Sequence, residues 1–162
     1  MPSLFPRHTI EFRLEEPKAF RRLSFNLVEM ALLTGVVMRL YRSVALTHGS
    51  NSWLYVGGSL GVGVLFLCAM VTLHLANYPL YRWTWRAPLF AAVEACGEMA
   101  MSLVLIWSVR EPTGTARAEF RDWWAMAWSA LWTRGITVCA WALLLAAVVS
   151  IARRYIPSDD PQ

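Results

Sequence analysis

"APLFAAVEACGEMAMSLVLIW", residues 87–107, is apolar over the length of a membrane-crossing helix, yet Glu94 and Glu98 stand one turn apart near its middle. About 20 mostly apolar residues span the hydrocarbon core of a bilayer. Overall composition points to that solvent. The chain is 57% hydrophobic and 16% charged, whereas soluble domains are about half apolar and a quarter charged. Three more runs qualify, so spans are expected at 23–46, 53–78, 87–109 and 123–151. The expected fold class is an all-α integral membrane protein, a four-transmembrane-helix bundle over residues 23–151, flanked by an N-terminal segment (1–22) and a tail (152–162). The connections at 47–52, 79–86 and 110–122 are too short to fold as domains.

The segment before the first span carries eight charges, and no small-x-small cleavage site follows that span; it is therefore expected to stay as a membrane helix. Cys68, Cys96 and Cys139 all fall inside spans without a CxxC, which suits small apolar filler better than disulfides or redox chemistry. Basic residues set the orientation. One side holds Arg7, Arg13, Lys18, Arg21, Arg22, Arg82, Arg86, Arg153 and Arg154. The other holds Arg110, Arg117 and Arg121, with Arg39 and Arg42 near its boundary. Nine against five puts both termini in the cytoplasm, and a multi-pass protein of the inner (cytoplasmic) membrane is expected. The net charge of +4 then reflects topology and anionic headgroups. A nucleic-acid partner has no soluble basic domain to bind. Trp53, Trp83, Trp85, Trp107, Trp123 and Trp124 flank the spans as an interfacial aromatic belt would.

In the N-terminal segment Ile10, Phe12 and Leu14 alternate with Glu11, Arg13 and Glu15, the period of a strand. A single short strand is not stable alone, so these three residues predict pairing with an edge on a partner chain; the competing reading is a disordered tail with accidental alternation. Pro17 ends any strand. Residues 18–23 then suit an interfacial helix, with Phe20 and Leu23 toward lipid and Arg21 and Arg22 at headgroups.

Charges inside the spans carry the functional argument. Each costs about 2.5–3.5 kcal/mol near the bilayer centre on insertion scales, so such groups face the bundle interior and find partners. Depth counting at about 1.5 Å per residue puts Glu29, His74 and Glu94 about a third of the way in from the cytoplasmic side. The same count puts Glu98 near the midplane, Arg134 a few residues outward, and Arg39 in the outer third, where it can snorkel to water. Glu94 and Glu98 share a helix stripe with Ala87, Ala91 and Ser102, small residues that permit close approach. Arg134 shares a face with Trp123, Ala127, Ala130 and Trp141. Trp124, Trp128 and Trp132 form a separate stripe toward lipid, a pigment or a neighbouring subunit. Two faces of the second span look suited to close packing, one near His74 and Gly63, the other at Gly57 and Gly61.

These positions predict a polar seam of Glu29, His74, Glu94, Glu98 and Arg134, with Glu98 paired to Arg134 and the other three clustered below. Two carboxylates one turn apart in a low dielectric do not both ionise freely, so one is expected to hold a proton, Glu94 before Glu98. The seam reads either as structural glue that fixes helix register or as a proton or ion relay or polar ligand lining.

Enzyme signatures such as HExxH, GxSxG and a P-loop are absent, so no catalytic residues are assigned and a non-catalytic role is expected. His8, His48 and His74 include no pair on one helix, which argues against a bis-histidine haem within the chain. Carboxylates and imidazole suit iron, manganese or zinc, but the ExxH spacing of di-metal bundles is missing and no metal is expected. The glycine-rich GGSLGVGV lies inside a span and reads as packing or flexibility. The loop REPTGTARAEFRDWW reads as a turn with a short amphipathic approach to Trp123. Three functions follow. The first is a small non-catalytic subunit of a larger membrane complex for transport or energy transduction, contacting lipid and other integral membrane subunits through helix faces and the N-terminal segment. The second is a proton-coupled transporter or channel using Glu94 and Glu98. The third is a redox subunit binding quinone or pigment, although no cofactor is required.

Overall fold

The computed structural model describes residues 26–49, 52–108, 110, 112–113 and 116–155. Its four long helices are α1 (Leu27–His48), α2 (Trp53–Ala76), α3 (Trp83–Trp107) and α4 (Trp123–Tyr155). All four are long and apolar enough to cross a membrane.

Each boundary has a local cause. The backbone N–H of Asn26 donates to Glu29 Oε2 at 2.9 Å, which caps α1 and places an acid in the first turn, where the helix dipole favours it. Asn77 and Pro79 stop α2, and a 3-10 turn at Leu80–Arg82 redirects the chain into α3. That helix starts at Trp83 and runs through Pro88, whose missing N–H removes one backbone hydrogen bond in the second turn. Between α3 and α4 two short strands pair antiparallel, with Pro112 opposite Arg117 and Thr113 opposite Ala116, in the loop expected to hold a turn and a short approach to Trp123. A 3-10 turn at Phe120–Asp122 then leads into α4. At 33 residues, α4 is about 50 Å long, several turns more than a hydrocarbon core of about 30 Å requires.

The centre of the bundle is α3. Of its most apolar stretch 56% is buried, against 33% for α1, 22% for α2 and 17% for α4. The two sides of α3 are covered by α1 and α4, and α2 packs at the edge against α1, α3 and α4. The apolar core joins Ala31, Leu67, Val71, Phe90, Ala91 and Val138. The tightest crossing lies between α1 and α3. A Cβ on Gly35 would overlap the Glu94 carbonyl oxygen, and one on Gly97 would press on Leu32 backbone atoms, so these two glycines let backbone meet backbone. Gly63 meets the side chains of Met38 and Tyr41, whereas Gly57, Gly58 and Gly61 have no atom within 4 Å of a Cβ position. The face of Gly57 and Gly61 that looked suited to packing therefore has no neighbour among the described residues.

Candidate functional site

The inward stripe of α3 places Glu94, Glu98 and Ser102 in the interior, all with 0% exposure. They project there because Ala87, Ala91 and Gly97 let α1 and α4 approach. Glu98 is held from both sides. Arg134 Nε on α4 donates to Glu98 Oε2 at 2.9 Å, the length of a strong charge-assisted hydrogen bond. Arg39 on α1 donates through Nη1 to Glu98 Oε1 at 3.3 Å, a looser contact, and through Nη2 to Ser102 Oγ at 3.3 Å. Arg42 Nη1 lies 3.9 Å from Glu98 Oε1, its own side chain 58% exposed. One carboxylate thus ties three helices together.

Depth along the bundle agrees. Arg39, Glu98 and Arg134 each lie about 13–17 Å, at 1.5 Å per residue, from the end formed by His48, Trp107 and Trp123. Taking a charge out of water costs several kcal/mol per ion unless geometry and hydrogen bonds compensate, and Glu98 has both. Glu94 does not. Arg134 Nε lies 3.7 Å from its Oε1, yet neither carboxylate oxygen of this buried side chain has a hydrogen-bond partner among the described residues.

His74 forms a second centre, where the end of α2 meets the start of α3. Its ring, 4% exposed, lies 5.3 Å from the Tyr78 ring and 5.5 Å from Phe90. Arg86 Nη1 stands 3.4 Å from His74 Nε2, and since guanidinium offers only donors that nitrogen is the acceptor. The Arg86 guanidinium also lies 3.4 Å from the Tyr78 ring centroid and 4.7 Å from Trp85, a cation–π arrangement.

The five-residue column expected from sequence therefore separates. Glu94, Glu98 and Arg134 come together. His74 does not join them, because Phe90, with no exposure, occupies the turn of α3 below Glu94 and meets the imidazole. Glu29 also stands apart, exposed and spent on the α1 cap. Arg39 replaces them. Counted from an outer boundary at residue 46 it belonged to the outer third, but α1 continues to His48 and Arg39 is 4% exposed, paired inward and not snorkelling. Ser102, noticed only as a small residue, is the second acceptor for Arg39. A depth count from the true helix end brings Arg39 level with Glu98, and Ser102 lies one turn outward of Glu98 on the same α3 stripe.

Tryptophan roles divide too. Trp124, Trp128 and Trp132 are 76%, 69% and 65% exposed along one α4 face. Trp83 is buried, its indole donating to the Tyr78 carbonyl at 2.9 Å. Trp123 donates to the Met99 carbonyl at 3.2 Å, and Trp141 to Thr72 Oγ1 at 2.9 Å, so Trp83 and Trp123, expected in an aromatic belt, also make contacts inside the bundle. Cys68 is buried, Cys139 half-buried and Cys96 exposed. Ile10, Phe12 and Leu14 lie outside the described residues. Among the described residues no group of His, Cys, Asp and Glu is arranged to hold a metal ion. Comparison with protein-family models, curated proteins and solved structures finds no match.

Proposed function

We propose that the chain is a multi-pass membrane protein, both termini cytoplasmic in the inner membrane, acting as a non-catalytic subunit of a larger membrane complex for transport or energy transduction. In this reading Glu98 and its arginines hold α1, α3 and α4 as one block, and α2 offers its bare face to a helix of another subunit. The observation that carries it is the open space over Gly57, Gly58 and Gly61. Without a hydrophobic drive between helices in lipid, small residues favour association by admitting a second backbone. The exposed Trp stripe of α4 supplies a second apolar face for lipid or a neighbour. The test is Gly61→Leu in the native membrane, followed by mass measurement in mild detergent. The wild type is expected to run as a complex and the variant as a lone bundle of unchanged stability. A wild-type monomer, or a complex indifferent to Gly61→Leu, contradicts the proposal.

One observation favours the second reading, a proton-coupled transporter or channel: Glu94 is a carboxyl group in the bundle interior without a hydrogen-bond partner among the described residues. Flux through proteoliposomes that Glu94→Gln abolishes, with assembly intact, would decide for it, and flux indifferent to Glu94→Gln would decide against it.

A further inference from the structure

We propose that Glu94 is a proton-binding site inside the bundle and that Arg134 is its gate. The ligand class follows from the surroundings. Glu94 is fully buried and neither of its oxygens receives a hydrogen bond from the described residues, so no donor there stabilises its anion. A proton needs no cavity. It removes the charge that the interior fails to solvate, and leaves a hydroxyl whose cost unbonded is far smaller than that of an anion.

The neighbouring charges fix the alternative state. On its own helix Glu94 faces Glu98, a like charge one turn away. From α4 it faces Arg134. From α1 the close approach is Gly35, while Arg39 and Arg42 both lie against Glu98. From α2 the buried ionisable side chains are His74, whose ring meets Phe90, and Cys68. Arg134 therefore decides. Its single Nε hydrogen goes to Glu98 Oε2 at 2.9 Å and leaves Glu94 Oε1 at 3.7 Å. That one hydrogen cannot serve both carboxylates at full strength, so a small rotation of Arg134 turns it from Glu98 to Glu94. Loss of the proton leaves a carboxylate that draws Arg134 across, loosening Glu98 on the α4 side while Arg39 keeps hold from α1. The proton equilibrium is Glu94–COOH to Glu94–COO⁻ plus one proton, with no other bond made or broken. It requires neither a partner subunit nor flux, so failure of either functional reading leaves it standing.

Infrared spectroscopy of the protein in liposomes tests both parts through the carboxylic C=O stretch, with titration in heavy water for assignment. At neutral pH the wild type should show one buried carboxylic-acid band. Glu94→Gln, nearly isosteric, should lose it completely. Arg134→Gln should retain it, because the competing cation is gone. Glu98→Gln should lose it, because Arg134 then turns to Glu94 and ionises it. A wild type without the band, or a band that survives Glu94→Gln, overturns the proton site, and the first result needs no variant to fold. A band that persists in Glu98→Gln overturns the gate.

Discussion

Replacing Gly35 with alanine adds one methyl group at the tightest point between α1 and α3. That methyl overlaps the Glu94 carbonyl oxygen and sits 2.6 Å from the Glu98 backbone nitrogen. Contact between such atoms is comfortable at about 3.5 Å, so the helices must separate by about 1 Å. Both obstacles are backbone, and no side chain can swing aside. The separation also carries Arg39 Nη1 from its 3.3 Å contact with Glu98 Oε1 beyond hydrogen-bonding range. Overpacking costs about 1–3 kcal/mol, and weakening a buried ion pair adds part of the roughly 3–5 kcal/mol that a full break costs. Gly35→Ala should therefore destabilise the bundle by about 3 kcal/mol. Gly61→Ala is the matched control. Its Cβ enters open space, so the isolated bundle should not be destabilised and should gain up to about 1 kcal/mol from the higher helix propensity of alanine. Reversible unfolding in mixed micelles, followed through the chain's nine tryptophans, measures both. Equal effects at the two glycines, or a neutral Gly35→Ala, would refute the close crossing.

Three other outcomes follow from the same contacts. Glu98→Gln keeps volume but removes the charge between Arg39 and Arg134, and should cost about 3–5 kcal/mol in the same unfolding assay; a cost under about 1 kcal/mol would mean the arginines are satisfied elsewhere. Thr72→Val deletes the acceptor of the 2.9 Å bond from Trp141 and should cost about 0.6 kcal/mol, the average for hydrogen bonds between membrane helices; a loss above about 2 kcal/mol would show that α2 depends on it. His74→Phe gives up only the 3.4 Å contact with Arg86 and keeps its ring neighbours Tyr78 and Phe90. It should cost less than about 1 kcal/mol, in keeping with the modest net value of one hydrogen bond, and a loss above about 3 kcal/mol would contradict that weighting.

Apolar length made the four helices legible, because a run of that kind has few alternatives. Their ends were less so: the first and third spans were expected at 23–46 and 87–109, while the helices run Leu27–His48 and Trp83–Trp107. Two residues at the outer end of α1 sufficed to misplace Arg39. Periodicity and depth could bring Glu98 opposite Arg134, since both sit on inward faces at matching distances from one end. They could not tell that Glu29 would be consumed by its own helix cap, nor that Phe90 would come between His74 and Glu94. Glycine spacing shows the same limit. The four-residue repeat at Gly57 and Gly61 drew the eye, yet contact falls at Gly35 and Gly97, because a glycine pattern records what a face permits and not which helix covers it.

The central claim is that Glu98 holds α1 and α4 to α3 at once. Two double-mutant cycles test it most directly, pairing Glu98→Gln with Arg134→Gln in one and with Arg39→Gln in the other, each read as unfolding free energy in lipid. Coupling is predicted in both, within the roughly 0.5–3 kcal/mol found for residues in contact, and larger for Arg134 at 2.9 Å than for Arg39 at 3.3 Å. Coupling within about 0.3 kcal/mol of zero for either arginine would contradict the claim.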